Sequence, residues 1–145
     1  MADERSARAQ AEGPRHEARE RALALLYEAE LKSEEPAEVL EGLPSAPDPF
    51  ASELVLGVGR ERPLIDSLVA EAAVGWEIER MPVVDRTILR LATWELLERS
   101  ETPVAVVIDE AVELAKQYST DASGAFVNGV LSEIARQVRQ DRSGS

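Results

Sequence analysis

The chain contains no cysteine and a single histidine, His16. Without cysteine there is no disulfide framework and no thiolate metal site. One histidine cannot build a metal centre unaided, so neither a metal nor any other cofactor is expected. Aromatic residues make up only 4% of the chain, which leaves an aliphatic core. No stretch alternates polar and apolar residues with period two, so nothing supports a sheet. No apolar run is long enough to span a bilayer, and the charged N-terminus has no apolar core of the signal-peptide kind. These absences give the expectation of a soluble, cytoplasmic protein that does not engage a membrane.

What is present favours helix. Leu, Ala, Glu and Arg dominate the 145 residues, a length suited to one domain. The net charge of −12 argues against nucleic acid until its distribution is considered. Residues 1–27 hold five arginines against five acids, residues 28–79 three basic groups against thirteen acids, and residues 80–145 eight against ten. The acid excess therefore sits in the middle, and basic patches at either end remain open. Such a surface suits two partners, one anionic and one basic.

The pattern along the chain divides into about seven helices. Residues 1–13 lack periodicity and read as a disordered tail, residues 14–139 as one helical domain, and residues 140–145 as a frayed end. Helical spacing of Ala18, Ala22, Leu25, Leu26 and Ala29 marks the first helix, to Lys32. A short second helix fits Pro36 to Glu41. Asp48 caps a third, with Pro49 at its first position. A fourth follows Pro63 and ends at Gly75, after which Trp76 and Met81 are expected to cover the core. Val83–Glu98 forms the fifth. Thr102-Pro103 reads as the capped start of the sixth, and Ser119 or Thr120 opens the seventh. Within the seventh, Gly129 should cost about 1 kcal/mol relative to Ala, which suggests a close helix contact. Asn128 fits a buried amide or a ligand contact equally well.

Catalysis has little support. His16 is the one imidazole base, and Asp109 and Glu113 at i and i+4 fit a solvated face better than a catalytic pair. Gly57-Val58-Gly59 follows a helix rather than a strand and lacks the third glycine of a phosphate loop. No enzyme activity is expected. The first helix is more suggestive. Arg15, Arg19, Ala22 and Leu26 share one strip, so the arginines extend the core-facing stripe to the rim, with His16 alongside. Guanidinium forks suit phosphates and stack on bases. The plainer alternative is a solvated face paired with neighbouring glutamates. For Arg86 and Arg90, for Trp76 and Trp94, and for Phe126, structural roles are the commoner outcome.

Arg15-His16-Glu17-Ala18-Arg19 with Ala22-Leu23-Ala24-Leu25-Leu26-Tyr27, then Val84-Asp85-Arg86-Thr87-Ile88-Leu89-Arg90 with Trp94-Glu95-Leu96, then Val107 to Lys116, and finally Phe126-Val127-Asn128-Gly129-Val130-Leu131 occur in an order and spacing that resemble the bacterial transcription antitermination factor NusB family. The resemblance covers nearly the whole chain. It implies an all-α, NusB-like helical bundle of seven helices in two subdomains. It implies binding to single-stranded boxA RNA of ribosomal-RNA leader transcripts together with the ribosomal protein NusE. The complex joins NusA, NusG and RNA polymerase and suppresses premature termination, and some relatives form homodimers. By position, Arg15, His16, Arg19 and Phe126 fall where the family contacts RNA, with Arg86 and Lys116 as lesser contributors. Tyr27 and Asp85 fall where it meets NusE. His16 and Glu17 interrupt an arginine run that is denser in many relatives, so RNA affinity is expected to depend on the partner. Arg19→Ala is expected to weaken RNA binding without lowering thermal stability. The alternatives are a protein-interaction adaptor with little RNA binding of its own, and an RNA-binding domain of the kind fused to ribosomal-RNA methyltransferases.

Overall fold

The computed structural model describes the backbone of residues 2–143 and the side chains of residues 13–139. Among these it contains seven α-helices, one 3-10 turn and no strand. The helices are α1 (Ala2–Lys32), α2 (Pro36–Glu41), α3 (Pro49–Arg60), α4 (Arg62–Ala72), α5 (Val83–Glu98), α6 (Val104–Tyr118) and α7 (Asp121–Ser143). The 3-10 turn, Ile78–Arg80, joins α4 to α5. Helix α1 extends through the stretch read from the sequence as a tail, with Pro14 inside it. The alanines, glutamates and arginines there are good helix formers. Side chains 1–12 and 140–145 lie outside the described residues, so the expected tail and frayed end rest on the sequence alone.

Local chemistry explains most boundaries. Asp48 accepts a hydrogen bond from the Phe50 amide at 2.8 Å and caps α3, followed by Pro49. Thr120 Oγ1 accepts from the Ser123 amide at 3.0 Å and opens α7. Helix α1 ends at Ser33, whose φ of 53° places it in the left-handed region. Ser33 and Glu34 donate back to Glu30 and Ala29, a Schellman closure usually made with glycine. Gly75, at φ 86°, makes the turn after α4 for which a side chain would be strained. The expected cap of α6 differs: no side chain caps it, and the Thr102 hydroxyl faces Arg15 instead.

Helices α1–α3 pack on one another, α4–α7 form a second group, and α5 touches both. This central helix is buried on nearly every side from Asp85 to Leu96. A helix so placed cannot keep its polar groups in water, so each must find a partner. Arg90 is held by Asp66 and Glu30. Asp85 accepts from the Ser123 hydroxyl at 2.8 Å. Glu95 pairs with Arg19. Helix α1 runs antiparallel to α5, since Arg19 meets Glu95 while Glu30 meets Arg86 and Arg90. Helix α7 runs parallel to α5, with Ser123 beside Asp85 and Arg139 at the far end. There Arg139 donates to the carbonyls of Glu95, Leu96, Arg99 and Thr102, which ties the end of α7 to the end of α5 and the loop after it.

The glycines have packing explanations. A Cβ on Gly57 would lie 2.1 Å from Trp94 Nε1, and one on Gly59 would lie 3.3 Å from Pro36. Gly57-Val58-Gly59 thus seats an indole and a proline ring. Gly129 departs from expectation: a Cβ there would meet nothing within 4 Å, and the residue is exposed, so it marks no close helix contact. Asn128 is also exposed and accepts from the Ser132 hydroxyl at 3.3 Å, which excludes the buried-amide alternative. Trp76 is 52% exposed rather than covering the core, whereas Met81 is buried.

Candidate RNA and partner interface

The expected site residues separate into two ends of the bundle and a groove. At one end, the early part of α1 meets the α5–α6 connection and the start of α3. Arg15 lies over the Phe50 ring, 5.2 Å from its centroid, with Nη1 3.5 Å from Thr102 Oγ1. No carboxylate lies within ion-pair distance of Arg15 among the described residues. Its guanidinium is half-buried.

Arg19, expected at the rim, is buried at 2% exposure. It binds Glu95 in fork geometry, Nε to Oε2 and Nη2 to Oε1, both at 2.8 Å, with Glu110 3.7 Å from Nη1. The strip it shares with Ala22 and Leu26 reaches the core one turn earlier than the sequence reading placed it. Its charge is spent inside the protein, and it is not presented to RNA.

His16 forms a short hydrogen bond from Nδ1 to Glu110, while Nε2 lies 3.6 Å from Glu20. The bond to Glu110 raises the His16 pKa above its ordinary 6.5, against the lowering effects of desolvation and of Arg19. The folded state thus favours the imidazolium. That contribution to stability is complete below pH about 6.5, the unfolded value, and is lost as pH rises through the raised folded value. An NMR titration of the His16 ring should show a midpoint above 6.5. His16→Gln should flatten the dependence of unfolding free energy on pH in this window; an unchanged curve would assign the dependence to other groups.

The groove lies further along α1. Leu23, Ala24 and Tyr27 face Val84 of α5 and Tyr118 of α6 across an apolar space of about 260 Å³, with Glu20 at its edge. Tyr27 and Tyr118 are partly exposed, at 37% and 47%. Tyr118 donates its hydroxyl proton to Glu20, which raises the phenol pKa. Asp85, expected at the same partner surface, is only 4% exposed and is occupied by Ser123. Its Oδ1 is buried without a hydrogen-bond partner.

Arg86 and Phe126 belong to the end opposite Arg15. Arg86 donates to Glu30 and to the carbonyls of Glu79 and Met81. Burial would push Glu30 upward, but the hydrogen bond from Arg90 and the charges of Arg62, Arg86 and Arg90 hold its pKa below the usual value. Arg86 is therefore part of an internal ion network, not a free cation. Phe126 is half-buried against the exposed Trp76, with ring centroids 5.4 Å apart at 57°. From Ser123 at this end to Arg139 at the other is about 24 Å along α7, so Phe126 does not meet Arg15. Lys116 is exposed on α6, its stem crossing α7 at Gly124. Sequence reasoning missed Phe50, Trp76 as an exposed ring, and Tyr118. Only Trp76 had a local cue, since Gly75 turns the chain just before it.

No helix among the described residues is long and apolar enough to cross a membrane, and no group of three or more acidic or histidine side chains there is placed to hold a metal ion. The profile of the NusB family matches residues 16–136. The transcription antitermination protein NusB of Saccharopolyspora erythraea is 50% identical over 129 residues, covering 85% of this chain and 87% of its own. That of Sorangium cellulosum is 43% identical, covering 90% and 98%. Among solved structures, T. maritima NusB superposes with a TM-score of 0.80 at 33% identity, covering 90% and 97%. A NusB chain from a complex of the antitermination factors NusB and NusE with dsRNA superposes with a TM-score of 0.73 at 32% identity, covering 86% and 97%.

Proposed function

The chain belongs to the NusB family of transcription antitermination proteins, and from that premise we propose that it binds boxA RNA of ribosomal-RNA leader transcripts jointly with NusE. Arg15 holds a phosphate at one end of α1, and His16, its ring nitrogens facing Glu110 and Glu20, flanks the bound strand. Lys116 supplies a further cation along α6, and the Trp76–Phe126 edge offers a stacking surface for a base. NusE docks on the apolar groove at Tyr27, and Asp85 acts beneath that surface by fixing α7 to α5. A basic partner suits the acidic middle of the chain. In the larger assembly with NusA, NusG and RNA polymerase, the bound RNA keeps the polymerase resistant to premature termination. The role is recognition without catalysis.

The observation that carries this reading is the half-buried Arg15 guanidinium, which among the described residues has no carboxylate within ion-pair distance. Its test is fluorescence anisotropy with single-stranded boxA RNA at several salt concentrations, with and without NusE, beside a duplex of the same sequence. If Arg15 and Lys116 each neutralise one phosphate, the single-strand salt slope should be about −1.4. Arg15→Ala should weaken binding and reduce the slope by about 0.7, with little change in thermal stability. Binding of NusE with no gain in RNA affinity over NusE alone would instead identify a protein adaptor. Preference for the duplex would reject the single-strand reading.

A further inference from the structure

We infer that Phe50 is a positioning residue of the RNA-binding end: its ring fixes the Arg15 guanidinium in place while leaving that charge free for a phosphate. The inference rests on the RNA-binding reading above and names a residue outside the arginine-rich helix.

Three guanidinium groups surround this one ring. Arg15, Arg19 and Arg99 lie 5.2, 5.5 and 5.0 Å from its centroid. Two of them are neutralised by carboxylates, Arg19 by Glu95, and Arg99 by Glu53 at 3.1 Å and Glu101 at 3.3 Å. Among the described residues, Arg15 is held by the ring and by one long contact to Thr102, with no carboxylate in ion-pair distance. The difference decides what each group can do. A carboxylate anchors a guanidinium but cancels its charge and occupies its donors. An aromatic face attracts the cation through its quadrupole, carries no net charge, and leaves the N–H groups in the guanidinium plane unoccupied. Arg15 is thus ordered and still cationic, the state suited to receiving a phosphate with little further loss of rotamer freedom.

Phe50 is itself rigidly placed. It is 8% exposed, lies in the first turn of α3 after Pro49, and its amide is fixed by Asp48. The ring position is therefore set by α3 and not by RNA. Arg99, on the same ring, is anchored through its backbone carbonyl by Arg139.

The experiment compares the wild-type protein, Phe50→Leu, Phe50→Tyr, Arg15→Ala and the Phe50→Leu/Arg15→Ala double variant, each with NusE, in the boxA titration. Leu keeps apolar bulk and removes the ring. Phe50→Leu should raise Kd about two- to fivefold, the range of an exposed cation–π contact, with the salt slope unchanged because no cation is lost. Phe50→Tyr should restore affinity. In the Arg15→Ala background the Leu substitution should add nothing, an outcome that a general packing role would not produce. Should Leu impair folding, site-specific fluorinated phenylalanine at position 50 weakens the quadrupole and keeps the shape, and should weaken binding in the same direction. An equal loss in both backgrounds, or no loss while Arg15→Ala still weakens binding, overturns the inference and leaves the RNA reading standing. Failure of the wild-type protein to bind RNA even with NusE overturns both.

Discussion

Arg19→Ala should destabilise the protein by about 3–5 kcal/mol, the cost of leaving one partner of a buried ion pair uncompensated. Glu95 sits in the last turn of α5, its carboxylate held by both arms of the Arg19 fork at 2.8 Å. Removing the guanidinium strands a buried carboxylate and opens a cavity beside Phe50. Urea unfolding should show a lower midpoint with an unchanged slope, and the melting temperature should fall by on the order of 10 °C. Glu95→Gln should be destabilising in the same direction. Replacing both partners, as Arg19→Met with Glu95→Leu, should recover much of the loss, because apolar groups of similar volume need no counter-charge. A variant that keeps wild-type stability and loses only RNA affinity would place Arg19 on the surface after all, as the sequence pattern suggested.

Gly57→Ala should be the next most damaging change. The added Cβ would fall 2.1 and 2.2 Å from Nε1 and Cε2 of Trp94, atoms of a rigid buried ring. A contact this short forces α3 or the indole to shift. The cost should reach or exceed the upper part of the range for overpacking, about 3 kcal/mol, and outweigh the gain of about 1 kcal/mol that alanine normally brings to a helix interior. Thermal unfolding and near-ultraviolet circular dichroism would report it. Trp94→Leu in the same chain should relieve part of the loss by removing the ring. Since α3 also carries Phe50, pushing α3 away from α5 should loosen Arg15 and weaken RNA binding at temperatures where the variant is still folded. Wild-type stability in Gly57→Ala would show that α3 and α5 can separate more freely than their packing implies.

Much of the scaffold was legible because its signals are local. The Asp48-Pro49 cap, the short helix from Pro36 and the bounds of Val83–Glu98 follow from residues adjacent in the chain. Gly129 was legible but misread. The buried residues Val127, Val130, Leu131 and Ile134 define the inner face of α7, and Gly129 lies on the opposite side of the wheel. The site was harder to read because it depends on pairings across the chain. Nothing near Arg19 announces Glu95, 76 residues away. A structural role was the commoner expectation for Arg86, but its partner Glu30 stands 56 residues away in the chain. Phe50 gave no sign of its arginines, since a phenylalanine in the first turn of a helix is ordinarily a core residue. Arg15 was expected at the rim of the first helix and is half-buried there, whereas Tyr27, 37% exposed, was singled out by family likeness alone. Family likeness supplied their expected roles.

Arg15 and Tyr27 stand twelve positions apart on the single uninterrupted helix α1, which makes that helix a ruler of about 18 Å. A protein bound at the groove and an RNA bound at Arg15 are thereby held at a fixed separation. Any RNA-binding surface on that protein partner is then presented to the strand at high effective concentration, and two weak grips act as one strong one. Lengthening the ruler by a full turn would move the grips about 5 Å apart while altering neither. The joint affinity would fall although each separate affinity stayed the same.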